Sequence, residues 1–376
     1  MSREPDPVVH EGTDICLVYM PFAPIDPPPL GMALLTGGAK KAGLSIATMY
    51  PSFTFAESIG YFIYRAVLEA IGGFQIAEWT FSNAAFPDFR PDDEAFLREY
   101  LDSERLRDPD KFDLLFCDEV SFREMLRRLR TAADAFIDEL ARTIADRRPG
   151  IVGCSSTYYQ NCASLALLRR LKELNPGTIT MMGGANCEGS MGMVIKRAFP
   201  WVDVVVSGEA DELFVPLCLR LLDAGAGALQ QECPASVFTS SHKGNVSADD
   251  ASVAMVTELD DLPLPDYSEY FRERAMFSYE TVLSAAGLSI ETSRGCWWAA
   301  DASVRSAVAT ARESRTEPRA LAVCCGRSTR SAASTRWAGS SRPTTSLRLP
   351  ISPACSVLLP ARTRRNTRSS SQSRPT

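Results

Sequence analysis

Three short runs of small and polar residues hold most of the chemistry this sequence can offer. Ser155-Ser156-Thr157, Gly183-Gly184-Ala185-Asn186 and Ser207-Gly208-Glu209 each follow a β-rich run, and they supply hydroxyls, an amide and a carboxylate. Glycines at such places let the main chain approach a ligand closely, and free N–H groups at strand ends and helix N-termini favour polar or anionic groups. A further loop, Phe22 to Gly31, is stiffened by Pro27-Pro28-Pro29 before a helix begins. Thiols are the second resource. The 11 cysteines show no disulfide-like framework, which argues for free thiols or metal ligands. Cys296 lies in Ser293-Arg294-Gly295-Cys296-Trp297-Trp298, directly after the short β-rich run Leu288–Thr292, and a strand opening into a Gly-Cys loop suits a metal or catalytic loop. Cys187, in GGANCEG, reads as a buried structural thiol, as do Cys16, Cys154, Cys162 and Cys218.

The elements that must position these residues alternate. Strands at Ile151–Thr157, Thr178–Met182 and Val202–Ser207 are separated by two helix-length segments, the signature of βαβ units. The first of those helices has Asn161 as its N-cap, Leu165, Leu168, Leu171 and Leu174 at helical spacing, and Asn-Pro-Gly at 175–177 as its stop. Upstream, Asp14–Phe22 and Leu44–Tyr50 read as strands around a helix at Met32–Ala42, with Gly43 just past its end. The fold class is therefore α/β: a flavodoxin-like, doubly wound parallel sheet of five strands in the order 2-1-3-4-5, spanning residues 14–228. A ligand is expected over the first, third and fourth strand ends. Residues 53–148 interrupt the alternation as a helical insertion, with helices at Phe55–Ile71, about 92–103 and about 112–147. Within it, Arg123–Arg130 reads as a solvated helical face, and Trp79, Phe81, Phe86 and Phe89 read as packing groups. Leu213–Ala226 closes the domain; residues 229–287 read as a linker with one or two weak strands and a polyproline-like tether at Leu262–Tyr267.

Composition sets outer limits. At 45% hydrophobic and 23% charged residues the chain can bury a normal globular core. No apolar run reaches the roughly 18 residues that span a bilayer, so no membrane partner is expected. Residues 1–13 read as a disordered leader without signal-peptide features, which favours a cytoplasmic address. The net charge of −6 conceals an asymmetry, because residues 299–376 contain 14 Arg and no Lys against three acidic residues. Their scattered arginines, with Trp337 as the one aromatic, make a poor nucleic-acid footprint, and no nucleic-acid partner is expected.

Longer motifs point to a family. The pieces MPFAPIDPPPLGMALL, Glu78-Trp79-Thr80-Phe81-Ser82, CSSTYYQNCASLALLRRLKELNP, GGANCEGSMG, FPWVDVVVSGEADE, LPLPDYSEYF and ETSRGCWW run from about residue 14 to residue 298. Together they resemble radical S-adenosylmethionine (radical SAM) proteins that mature ribosomally made peptides and carry an N-terminal cobalamin-binding-type domain. The resemblance implies cobalamin on the sheet domain, a four-iron, four-sulfur cluster with S-adenosylmethionine on a following barrel, and a precursor peptide as partner. It assigns Pro29, Gly31, Ser156, Thr157, Asn161, Gly183, Gly184, Asn186, Gly208 and Glu209 to the cofactor-binding edge. Cys296 matches the first cluster ligand, and residues 288–298 match the start of the barrel. His10 and His242 are the two histidines, and neither lies in an Asp-x-His-x-x-Gly loop, so cobalamin is expected without a histidine lower ligand.

The resemblance stops at Trp298. The family's second and third cluster cysteines should follow Cys296 within about a dozen residues, but AADASVRSAVAT has none, and Cys324 and Cys325 are adjacent to one another and distant. The chain keeps one of three cluster cysteines, which leaves enzymatic activity open. Residues 299–376 lack Phe, Tyr, Met, His and Lys and cannot supply the strand–helix alternation of a barrel. They read as disordered and as the product of a shifted reading frame. The reading is thus a truncated radical SAM peptide-modifying enzyme; the alternative is a non-catalytic module that binds cobalamin or another small cofactor.

Overall fold

The computed structural model describes residues 12–69, 73–107, 119–230, 233–240, 251–283, 288–291, 293–294 and 317–318. Residues 1–11 of the expected leader, Cys296 and nearly all of the Arg-rich tail lie outside these residues.

Six strands form the main sheet: β1 (Ile15–Val18), β2 (Ile46–Met49), β3 (Ile151–Ser155), β4 (Ile179–Gly183), β5 (Val204–Val206) and β6 (Val237–Phe238). Their order is β2-β1-β3-β4-β5-β6. The first five are parallel, in the expected 2-1-3-4-5 arrangement, and β6 adds an antiparallel edge beyond the five anticipated. Strand residues alternate between two apolar layers, as a pleat of period two requires. Ile15, Leu17, Ile46, Ile151, Ile179 and Met181 face the layer closed by α1 (Leu30–Lys41) and the later helix Phe214–Ala224. Cys16, Val18, Ala47, Val152, Cys154 and Met182 face the opposite layer. Helices on both faces explain why the strands are apolar throughout.

The second layer is closed largely by the insertion and by the helix after β3. The insertion contains α2 (Ser52–Ile59), α3 (Tyr61–Glu69), α4 (Gly73–Ala85), α5 (Asp93–Arg107) and α6 (Glu119–Ala145). The single helix expected at 55–71 is two, because Gly60 adopts φ 90°, a conformation that ends a right-handed helix. Helix α4 was not anticipated; its Ile76, Ala77, Thr80 and Phe81 are buried at three- and four-residue spacing. Phe81 meets Phe22 and Phe55, with ring centroids 6.1 and 5.1 Å apart, so the insertion shares the core of the sheet. Trp79 and Phe81 pack as expected, but Phe89 is exposed. Arg130 also departs from a solvated face: it is buried, lies 4.4 Å over the Trp79 ring and pairs with Asp93 at 2.8 Å.

The remaining helices are α7 (Asn161–Leu174), α8 (Ser190–Ala198), α9 (Phe214–Ala224) and α10 (Ser268–Met276). The last lies in the segment expected to be a linker, and that segment is packed on the domain. The Gly37 position of α1 has no room for a side chain, since a Cβ there would stand 2.0 Å from the Leu264 carbonyl oxygen. Tyr270 is buried, and its ring lies 5.4 Å from Tyr50 and 5.6 Å from Phe53. Lys40 reaches Asp266 at 3.0 Å and Glu269 at 2.8 Å, so two acidic residues of the expected linker pair with the domain. A two-residue pair, β7 (Ser293–Arg294) with β8 (Glu317–Pro318), is antiparallel. No helix among the described residues is long and apolar enough to cross a membrane.

Candidate functional site

Among the described residues, the C-terminal edge of the parallel strands has an open centre and two covered flanks. At the centre, β3 runs into the short helical turn Tyr158–Gln160 and β4 into the turn Ala185–Cys187. The Ser156 N–H donates to the Gly183 carbonyl at 2.8 Å, and the Asn186 N–H donates to the Ser156 carbonyl at 3.1 Å, which joins the two loops. The Asn186 side-chain amide adds bonds to Ser156 Oγ at 2.9 Å and to the Tyr158 carbonyl at 3.3 Å. Gly184 is at φ 91°, and a Cβ there would stand 2.6 Å from the Ser156 carbonyl oxygen. Its glycine is required by the close approach of the two loops. Thr157 and Gln160 form a capping box; the Thr157 N–H donates to Gln160 Oε1 at 2.9 Å, and Gln160 Nε2 donates to the Met20 carbonyl at 2.6 Å. Ser156, Thr157, Gly183, Gly184 and Asn186 are therefore brought together.

The remaining assigned residues have other partners. Pro29 precedes α1 and accepts the Ala33 N–H at 3.3 Å, and a Cβ on Gly31 would meet open space, so close approach does not explain that glycine. The loop before them is covered by α10: Tyr270 Oη donates to the Ile25 carbonyl at 2.7 Å, and Arg274 pairs with Asp26 at 3.1 Å. On the other flank Gly208, at φ 89°, is bridged to Ala254, and a Cβ there would stand 2.4 Å from the Ala254 carbonyl oxygen. The Glu209 carboxylate accepts the Val256 N–H at 2.6 Å and pairs with Arg294 at 3.2 Å. Asn161 lies at the start of α7, where its N–H and that of Cys162 donate to the Glu78 carboxylate at 2.9 and 2.6 Å. Asn161 Oδ1 is buried with no hydrogen-bond partner in the protein.

Three residues with evident roles escaped sequence reasoning. Glu78 caps α7 from 83 residues away, a pairing no local signal announces. Burial raises its pKa above the usual carboxylate range, against the opposing pull of the Cys162 and Asn161 groups that donate to it. Arg294 gathers Glu291 and Asp211, at 2.8 and 3.0 Å, as well as Glu209. Burial disfavours its charge, but those carboxylates outweigh burial and hold its pKa above the ordinary value. Tyr158 is exposed at φ 50°, and a non-glycine residue in that region was the signal that only a backbone could give.

The thiols behave as structural groups. Burial pushes Cys16, Cys187 and Cys218 up to about 12 and raises Cys154 further, so these sulfurs stay protonated. Among the described residues no group of three or more His, Cys, Asp or Glu is arranged to hold a metal ion. A cavity of about 470 Å³ lies away from the sheet edge, against α2, α3 and α6, lined by Ile59, Ile63, Met125 and Leu129 with Glu124 and Arg128 also lining it.

What the open centre can hold follows from these contacts. Among the described residues, part-exposed Thr157 and Asn186 and the backbone of Gly183 and Gly184 converge there, which suits a ligand with a polar periphery. A corrin with its amide side chains is a ligand of that kind, and Thr157 and Asn186 are the residues that would meet it at β3 and β4. They do not fit a four-iron cluster, which takes three thiolates where the Gly-Cys loop offers Cys296 alone.

No family model and no solved structure matches the chain. Over 111 residues it is 28% identical to the anaerobic magnesium-protoporphyrin IX monomethyl ester cyclase of Rubrivivax gelatinosus. That match covers 30% of this chain and 20% of the cyclase. The likeness is distant, and the chain spans about a fifth of the length of the relative it matches.

Proposed function

We propose that the chain is a cobalamin-binding module of the radical SAM type, holding the corrin over the ends of β3 and β4. The observation that carries this reading is the junction of Ser156, Gly184 and Asn186 at the open centre of a 2-1-3-4-5 sheet edge. Ligands of open α/β sheets lie in that crevice. Part-exposed Thr157 would offer its hydroxyl to the corrin amides, while buried Ser156 accepts the Asn186 amide through Oγ and holds the two loops together. When bound, cobalamin supplies a cobalt centre able to carry a carbon group or exchange electrons. No described residue at this edge is a histidine, so the described edge would supply a bound cobalamin with no imidazole.

The fuller reading, also a proposal, is a peptide-modifying radical SAM enzyme acting on a ribosomally made precursor. Its barrel would begin at residues 288–298, and residues 299–376 would be the product of a frame shift after Trp298. One thiolate cannot replace three, so no radical step is assigned to the chain as written. The single Gly-Cys thiol favours the non-catalytic binding reading over the enzyme.

Full-length protein mixed with hydroxocobalamin should carry the pink chromophore through gel filtration, with a spectrum lacking histidine coordination. Elution of colourless protein would refute cobalamin binding. Reading the gene in its other two frames beyond codon 298 decides the frame-shift proposal: it requires a Cys about eight residues after Cys296 and another three beyond that.

A further inference from the structure

We propose that Tyr158 is a ligand-contacting residue whose ring lies flat against the conjugated macrocycle of the bound cofactor, an inference that rests on the cobalamin reading above. Tyr158 holds φ 50° and its side chain is left outside, the residue being 77% exposed. For an L-residue this left-handed conformation is unfavourable, and Gly or Asn would hold the same turn at lower cost. An exposed ring returns little burial energy to the fold. The neighbouring Tyr159 shows the contrast: it packs against the apolar core, with its ring centroid 6.2 Å from that of Tyr158 and the planes 43° apart.

The strained turn is fixed from both sides. Asn186 Nδ2 donates to the Tyr158 carbonyl at 3.3 Å, and the Gln160 side chain ties Thr157 to the Met20 carbonyl at the end of β1. The backbone is thus rigid while the ring stands in solvent beside the polar groups of the open centre. A rigid aromatic with a wet face suits a broad, flat, conjugated partner, where dispersion and water exclusion act over the whole ring. Strained residues of this kind gather at ligand clamps.

The experiment compares full-length wild type with Tyr158→Ala, Tyr158→Phe and Tyr158→Gly. Absorbance titration with hydroxocobalamin should show about tenfold weaker binding for Tyr158→Ala and near-native binding for Tyr158→Phe, the scale of one lost stacking contact. Without ligand, Tyr158→Gly should melt at or above the wild-type temperature, because the strain is relieved. Tetranitromethane should nitrate Tyr158 in the free protein, and hydroxocobalamin should protect it, as read by peptide mass spectrometry. Native-like binding by Tyr158→Ala, or equal loss in Tyr158→Phe, overturns the stacking role. A lowered melting temperature for Tyr158→Gly assigns the ring to the fold and overturns the proposal independently of any ligand. Wild type that binds no hydroxocobalamin overturns the parent reading first, and this ligand with it.

Discussion

The flanks and the centre of the sheet edge use the same residue types for different ends. At the flanks, the chain's own segments meet the strand ends: α10 covers the β1 loop through Tyr270 and Arg274, and residues 254–256 occupy the end of β5 through Gly208 and Glu209. At the centre, Gly184, Ser156 and Asn186 bind one another and leave Tyr158 exposed. A glycine, a hydroxyl or a carboxylate at a strand end is therefore no proof of a ligand. Among the described residues, what distinguishes the two regions is that later sequence returns over the flanks and not over the centre, which is why the cofactor proposal rests on the centre.

The largest expected effect tests whether the covered flank belongs to the domain. Tyr270 is 1% exposed and touches Tyr50, Phe53 and the Ile25 carbonyl. Tyr270→Ala should cost about 3–5 kcal/mol, the usual price of emptying a large aromatic site. A denaturant midpoint equal to wild type would show that residues 268–276 are a detachable tether and would erase the contrast between flank and centre.

A matched pair of glycine substitutions sharpens it. Gly208→Ala and Gly184→Ala both place a Cβ within 2.6 Å or less of a carbonyl oxygen at positive φ. Each should destabilise by about 2–3 kcal/mol through strain and backbone shift. They should part company on cofactor: Gly184→Ala loses hydroxocobalamin in a titration, and Gly208→Ala keeps it. Equal loss in both would mean that the β5 flank is also part of the binding surface.

Glu78 links the insertion to the centre. Its carboxylate takes two N–H groups at the start of α7, so Glu78→Ala leaves both without a partner. The expected cost is about 1–2 kcal/mol, with Glu78→Gln retaining most of the cap. Hydrogen exchange localised to residues 158–165 reads this directly; protection unchanged in Glu78→Ala would remove the insertion from any role in shaping the site.

Periodicity made the sheet readable, and distance in sequence hid much of the site. The five parallel strands and α7 announce themselves through β-rich runs, Leu165, Leu168 and Leu171 at helical spacing, and a clear Asn-Pro-Gly stop. The polar residues after β3 and β4 follow from strand ends alone. Helix α10 was missed because its pattern is polar: SEYFRERAM is held by Glu269 with Lys40 and Arg274 with Asp26, partners more than 200 residues away. The Gly60 break could not be separated from a tolerated helical glycine without its φ. Arg130 was misplaced because an arginine run reads as solvated until one member finds Asp93 and the Trp79 ring.

The smallest effect is a pH dependence on the covered flank. Glu273, on α10, accepts the Tyr50 N–H with both carboxylate oxygens, at 3.0 and 3.1 Å. Burial pushes its pKa up to about 8; the Tyr50 N–H and Arg272 pull the other way, and Glu269 adds to the rise. Because the folded value lies above the ordinary value of 4.5, the folded state favours the protonated acid. The stability it confers is complete below about pH 4.5 and is lost as pH rises through about 8. Glu273→Gln keeps an acceptor for the Tyr50 N–H and cannot ionise. The variant should lie close to wild type near pH 5 and exceed it in melting temperature by a margin that widens as pH rises towards 8. Parallel stability profiles for the two proteins would place the ionisation elsewhere. A flatter profile in the variant would show that α10 is held to β2 by a carboxyl group that prefers to stay neutral, which is how a covered strand end differs electrostatically from one left open to water.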